Sequence, residues 1–84
     1  MSESGNIVKN VVEYIVTQIV GNEDEVKVEV ASSTDDKVAI EVRTSSNDMG
    51  RVIGKRGRVA RAIRTVAQAA ADEEGLDSSV EFID

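Results

Sequence analysis

The feature that most restricts the fold is a pair of glycines, Gly54 and Gly57, set between two stretches of helical periodicity. They lie within residues 49–65, whose sequence is MGRVIGKRGRVARAIRT. Glycine adopts backbone torsions that a Cβ atom disfavours, and it lets a second backbone segment approach closely. We therefore predict a sharp turn at Gly54–Gly57 that joins a short helix to a long one.

The same segment concentrates positive charge. Of the 10 basic and 16 acidic residues in the chain, six basic residues and no acidic one lie here. The N-terminus of the following helix adds unpaired N–H groups and a partial positive charge, so an anion such as a phosphate is favoured at the turn. Because the net charge is −6, a plain solvated charge run is the weaker interpretation. The six residues are Arg51, Lys55, Arg56, Arg58, Arg61 and Arg64.

The first part of the chain carries apolar pairs at helical spacing. They predict a helix over residues 5–20 that ends at Gly21. Ser4 or Asn6 is expected near its N-terminal cap, and residues 1–5 are expected to form a flexible tail. The apolar face of this helix is wider than a small sheet needs. Either β-branched residues fill that space, or one margin of the helix contacts a partner.

The remaining pattern predicts an α+β domain, because strand-like alternation comes first and helical spacing follows. The order is α-β-β-α-α-β, with a three-stranded sheet packed against the helices in one domain over residues 1–84. The expected elements after the first helix are strands at 26–30 and 38–42, a turn at 31–36, a helix from Ser46 or Asn47 to Ile53, a helix from Arg58 to about Glu74 that stops at Gly75, and a strand around Val80 and Phe82.

The long helix is expected to pack on the sheet through small and β-branched residues on one side. Arginines form a stripe on its other side, which starts at the glycine turn. The expected packing residues are Val59, Ala62, Ile63, Val66, Ala69 and Ala70.

Several functional classes find no support in the composition. The chain has no histidine and no cysteine, so the usual general base and the soft metal ligands are missing. The glycine spacing fits neither a P-loop nor a dinucleotide fingerprint. We therefore expect no enzyme activity, no cofactor and no bound metal. Without a signal peptide or a run of about 20 apolar residues, we expect a soluble cytoplasmic protein that does not enter the membrane.

The stretch VIGKRG, residues 52–57, resembles the signature of KH domains, which bind single-stranded RNA or DNA through a GxxG loop. The order of elements resembles the type II arrangement of bacterial KH domains. Residues 48–65, together with the first helix and the last strand, are similar to the small stand-alone KH proteins of bacteria, the KhpA family. The resemblance covers nearly the whole chain.

This resemblance implies RNA binding without catalysis, by a loop that clamps the sugar-phosphate backbone. It also implies a homodimer, or a heterodimer with a larger KH-containing protein of the KhpB type (also called Jag or EloR). A role as an RNA chaperone linked to cell shape and the cell wall follows from the same resemblance. The implied contacts are Gly54, Lys55, Arg56 and Gly57 at the phosphates, Val52 and Ile53 in an apolar groove wall with Ile40 or Val42 on its floor, and Arg51, Arg58 and Arg61 on a positive rim.

The residues themselves leave other functions open. One alternative is an assembly module, in which the helices make the main contacts and the partner is another protein. The chain is a single-stranded DNA binder if the same turn accepts deoxyribose. Because the aromatic residues Tyr14 and Phe82 lie outside the turn, base stacking on rings is not the expected mode of binding.

Overall fold

The computed structural model describes residues 3–21 and 23–83, and side chains from residue 5. It confirms the α+β class and the order α-β-β-α-α-β. Two short 3-10 helices, Glu23–Glu25 and Lys55–Gly57, lie between the longer elements. The helices and strands are α1 (Glu3–Ile19), β1 (Lys27–Ser33), β2 (Lys37–Arg43), α2 (Ser46–Ile53), α3 (Arg58–Glu73) and β3 (Asp77–Ile83).

The sheet has the order β1-β2-β3, so β2 is its central strand. β1 pairs with β2 in antiparallel fashion, with a bulge between Val30 and Ser32, and β3 pairs with β2 in parallel. A parallel pair needs a long crossover connection, and α2, the glycine turn and α3 form it. The turn therefore lies between two helices, of which α3 packs on the sheet and α2 packs against α3 and α1.

The core lies between one face of the sheet and the helices α1 and α3. Side chains alternate along β2, so Val38, Ile40 and Val42 point inward and are fully buried. Valine and alanine dominate the core, and their small volume lets the helices approach the sheet closely. The buried core residues are Val8, Val12, Val16, Val28, Val38, Ile40, Val42, Val52, Ile63, Ala67, Ala71, Leu76 and Val80.

The buried side of α3 differs from the expected one. The helix buries Ala60, Ile63, Ala67 and Ala71, which follow one another at helical spacing. Of the six residues expected to pack on the sheet, Ile63 alone is fully buried. Val59 and Ala70 are half-buried, and Ala62, Val66 and Ala69 are exposed. The apolar surface of α3 is thus wider than its contact with the sheet.

The start of α1 also differs from the expected one. The helix begins at Glu3, so residues 3–5 belong to its first turn rather than to a tail, and residues 1 and 2 lie outside the described part. Gly5 is buried, and a Cβ atom there would lie 3.4 Å from Val38 Cγ2. At the other end, Gly21 does not adopt the left-handed backbone of a typical helix stop.

The sheet face that points away from the helices is polar. The strand pairing aligns three glutamates across it: Glu29 lies opposite Glu41, and Glu41 lies beside Glu81. Lys27 and Arg43 form the neighbouring cross-strand pair. Both signs of charge are therefore present on this face, and Arg43 forms an ion pair of 3.7 Å with Glu41. Among the described residues, no helix has the length and apolar character needed to cross a membrane.

Candidate nucleic-acid interface

The glycine turn has the backbone geometry that the sequence predicted. Gly54 has φ 77° and ψ 173°, and Gly57 has φ 71° and ψ 20°. Between them, Arg56 also has a positive φ, of 57°, and it is the one non-glycine residue with this geometry in the described part of the chain. A non-glycine residue in this region costs about 1 kcal/mol or more. The turn therefore holds the backbone of Arg56 in a strained left-handed conformation.

The two glycines serve different purposes. A Cβ atom on Gly54 would lie 2.5 Å from Val59 Cγ2 and 3.0 Å from the Val59 backbone nitrogen, so the start of α3 packs directly onto this residue. A Cβ atom on Gly57 would meet nothing within 4 Å and would project into open space. Gly54 thus permits close packing inside the protein, whereas Gly57 leaves the outer surface of the turn bare.

Three basic side chains surround one open pocket at the turn. Lys55, Arg56 and Arg58 line a space of about 490 Å³, and all three are exposed. Arg58 is the first residue of α3, and its N-cap, Gly57, offers no side-chain acceptor to the first-turn N–H groups. The partial positive charge of a 16-residue helix therefore lies beside three cations. An anion placed here meets backbone donors and mobile positive charges together.

The apolar residues next to the turn separate into the interior and the surface. Val52 has no exposed surface, and Ile40 and Val42 are buried in the same core. Ile53 remains 37% exposed. Neighbouring positions on a helix point about 100° apart, so one member of the Val52–Ile53 pair supports the turn from below while the other reaches solvent. Ile53 is therefore the one residue of the expected apolar wall and floor that a ligand can reach.

Comparison with known proteins decides the family. A family model described as "KhpA/KhpB, KH domain" matches residues 9–82. The chain belongs to this family. Its curated relatives include the RNA-binding protein KhpA of Borreliella burgdorferi, which is 40% identical over 84 residues that cover the whole of both chains. The KhpA of Clostridium acetobutylicum is 41% identical over 75 residues, covering 89% of this chain and 99% of the relative. No solved structure gives a significant match.

The matched residues include the turn Gly54–Gly57, whose sequence GKRG has the GxxG pattern. The match confirms the expected fold, and KH domains of this family are RNA-binding modules rather than enzymes. A third relative, the KhpA of Halalkalibacterium halodurans, is 39% identical over 76 residues, which are 90% of this chain and 99% of the relative. The resemblance of residues 52–57 to the KH signature thus extends along the whole domain.

Two arginines of the basic segment in this KH domain have partners elsewhere. Arg64 Nε donates a hydrogen bond of 3.1 Å to the carbonyl oxygen of Val80, and its guanidinium lies 5.2 Å from the centre of the Phe82 ring. Arg51 forms an ion pair with Asp48, with 3.3 Å between Nη1 and Oδ1. The spacing of three residues between Asp48 and Arg51 was the available sequence signal for this pair. The contact of Arg64 with β3 had no such local signal.

The helix α2 begins at Ser46, one of the two expected first residues, and its N-cap is Ser45. The hydroxyl of Ser45 accepts a hydrogen bond from the backbone N–H of Asp48 and donates one to Asp48 Oδ2. Asp48 is the third helical residue, so the Ser45 hydroxyl both caps the helix and contacts the side chain of the residue that it caps. This cap fixes the beginning of the short helix that leads into the GxxG loop.

A second, apolar groove lies between α1 and α3 in this KH domain. It has a volume of about 260 Å³, and Arg58 lines it as well as the basic pocket. Exposed apolar side chains continue on both helices: Val66 is 43% exposed and Tyr14 is 68% exposed. We refer to this surface as the α1–α3 groove. Its lining residues are Ile15, Ile19, Arg58, Val59, Ala62, Ile63 and Val66.

Proposed function

We propose that this protein binds single-stranded RNA through its sugar-phosphate backbone at the loop Gly54–Gly57. The observation that carries the proposal is the pocket lined by Lys55, Arg56 and Arg58 beside the N-terminus of α3, in a chain with net charge −6. The relatives named RNA-binding protein KhpA support RNA as the nucleic acid.

Each part of the loop has a separate task in this proposal. The bare surface over Gly57 lets a phosphate approach the backbone, where no Cβ atom intervenes. Lys55 and Arg56 neutralise phosphates on either side of that point, and Arg58 binds at the first turn of α3. Arg61, one turn later and exposed, extends the positive rim along the strand.

The proposed contacts give affinity with little sequence preference, because phosphates carry no sequence information. A KH groove holds about four nucleotides. Ile53 offers one exposed apolar contact to a base or a ribose.

The salt dependence of RNA binding tests this proposal. With three phosphates neutralised, the logarithm of the binding constant should fall with the logarithm of salt concentration at a slope of about −2. The measurement is fluorescence anisotropy of a labelled single-stranded RNA of mixed sequence between low and moderate NaCl concentrations. Single-stranded DNA of the same sequence separates the two polymers, and equal affinity for both would favour the DNA-binding alternative. Binding that does not depend on salt would contradict the phosphate clamp.

The cellular role proposed here follows from the family resemblance. We place the protein in the cytoplasm as an RNA chaperone or post-transcriptional regulator with a link to cell shape and the cell wall. Weak, backbone-directed binding supports this role, because a chaperone must hold many RNA sequences and release them. Loss of cell shape in a deletion strain, restored by the wild-type gene and not by a loop variant, would be the corresponding cellular result.

A second candidate function, assembly with another KH domain, is favoured by the α1–α3 groove. The partner in this proposal is a second copy of the chain or a larger KhpB-type protein. Ile7, Tyr14 and Val66 leave apolar surface in water on the helices that border the groove. A single groove binds RNA weakly, and pairing two of them raises the apparent affinity without new contacts to the RNA. Assembly and RNA binding are therefore compatible.

Val66→Glu is expected to convert the assembled protein into a monomer. Val66 is half exposed in the single chain, so glutamate is accommodated in the monomer, whereas a packed apolar interface would have to bury its charge. Sedimentation velocity over a range of concentrations measures the change. Thr65→Glu, at an exposed neighbouring position outside the groove, is the matched control and should sediment as wild type does. The assembly function would be contradicted if the wild-type protein stays monomeric at all concentrations and no KH-containing partner is recovered with it from cells.

A further inference from the structure

Asp48 is a buried acidic residue at the edge of the basic segment. The residue is 4% exposed, and it is the one buried charged residue in the described part of the chain. Its Oδ1 accepts a hydrogen bond of 3.1 Å from the N–H of Gly21, and its Oδ2 accepts one of 3.2 Å from the Ser45 hydroxyl. These contacts tie the end of α1 to the cap of α2. The same carboxylate contacts the guanidinium of Arg51, with 3.3 Å between Arg51 Nη1 and Asp48 Oδ1.

The guanidinium of Arg51 lies close to both Asp48 and Gly21. Its Nη1 lies 3.3 Å from Asp48 Oδ1 and 3.0 Å from the place where a Cβ atom on Gly21 would stand. A side chain at residue 21 would therefore require this exposed guanidinium to shift by a small distance. Arg51 does not line the pocket formed by Lys55, Arg56 and Arg58.

We propose that Asp48 is a positioning residue of the RNA site that holds Arg51 away from the phosphates. A buried carboxylate requires a compensating charge, and Arg51 supplies it. The KH site then works with the loop cations alone, and Arg51 serves the junction of α1 and α2. Neutralising Asp48 removes the attraction and releases a flexible, half-exposed arginine three residues before Gly54. The released arginine adds a phosphate contact.

Asp48→Asn tests this inference, which rests on the RNA binding proposed above. Asparagine has the same shape and keeps an oxygen that accepts from Gly21, so the junction is retained while the charge is lost. One added phosphate contact should steepen the salt slope by about 0.7 and raise the affinity at 0.1 M salt about fivefold. The double variant Asp48→Asn, Arg51→Gln should return both quantities to the wild-type values. A gain in affinity that persists in the double variant would overturn the proposal, because the gain would then not come from Arg51.

Arg51→Gln alone provides an independent test that does not depend on the folding of the Asp48 variant. Glutamine keeps a donor for Asp48 and loses the charge. If Arg51 is the partner of Asp48 rather than of RNA, the salt slope of this variant equals that of wild type. A slope reduced by about 0.7 would show that Arg51 contacts a phosphate and would overturn the proposal. If the wild-type protein does not bind RNA, the proposed function is wrong. If the wild-type protein binds RNA and Asp48→Asn leaves the salt slope unchanged, the proposed function stands and this inference is wrong.

Discussion

The double variant Lys55→Asp, Arg56→Asp is expected to lose RNA binding while it keeps its fold. Each lost phosphate contact lowers the affinity about fivefold at 0.1 M salt, and the two new carboxylates repel the phosphates as well. We therefore expect a decrease of at least about a hundredfold, below detection for a weak single groove. Fluorescence anisotropy with a labelled single-stranded RNA measures the loss.

The fold of this variant should survive for reasons that the turn itself provides. Both side chains are exposed. Aspartate tolerates the left-handed backbone at residue 56 better than most residues do, and an acidic residue before α3 interacts favourably with the helix dipole. Circular dichroism and the unfolding midpoint should thus stay close to those of wild type.

A second double variant controls for the change in net charge. Lys27 and Arg43 are exposed neighbours on the sheet face away from the helices. Replacing both by glutamate changes the net charge by the same four units without touching the loop. This control should still bind RNA with a salt slope close to that of wild type. If both double variants lose binding equally, the effect is one of total charge and the loop is not the site.

The sequence was sufficient to predict the elements whose signals are local. The alternation of Val38 and Ile40 with polar residues marks a strand, and the two glycines mark a turn that the backbone torsions of Gly54 and Gly57 confirm. The first residue of α2 was predicted as Ser46 or Asn47, and pattern alone did not select between them because Ser45, Ser46 and Asn47 are all good capping residues. The reciprocal bond between a cap and residue 48 selects Ser45.

What the sequence did not show depends on contacts between distant elements. The apolar residues of α3 fit one wide face, and the positions of α1 and the sheet determine that Ala60 and Ala67 are buried while Val66 is exposed. The basic segment likewise looks uniform as a string of letters. In the folded chain, Arg64 binds the edge of β3 and Arg51 binds Asp48, so fewer cations remain around the loop pocket than the count of six suggests.

Gly54→Ala is expected to cause the largest loss of stability among single substitutions in the loop, by about 3 kcal/mol or more. Its torsions, φ 77° and ψ 173°, lie in a region that is essentially restricted to glycine. The new methyl group would also lie 2.5 Å from Val59 Cγ2 and 2.9 Å from Val59 Cβ. Because Val59 is on the first turn of α3, relief of this contact requires the helix itself to move.

Urea denaturation measures this change, and Gly75→Ala separates its two causes. Gly75 has a φ of 72°, and a Cβ atom there would meet nothing within 4 Å. Its substitution carries the torsional strain alone and should cost about 1 kcal/mol. The Gly54 variant should thus have a clearly lower midpoint than the Gly75 variant at a similar denaturant slope. Equal midpoints would mean that Val59 yields easily and that close packing does not require glycine at residue 54.

The two glycines of the loop are required for different physical reasons. Gly54 sits against the protein, so its requirement arises from the packing of α3 and holds whether or not RNA is present. Gly57 faces open space, so the packing of this chain does not forbid a Cβ atom there, although its positive φ disfavours one. In the proposed function, a phosphate approaches the backbone over the bare surface of Gly57. A loss of stability in Gly54→Ala that is measured without RNA therefore assigns the first glycine to the fold.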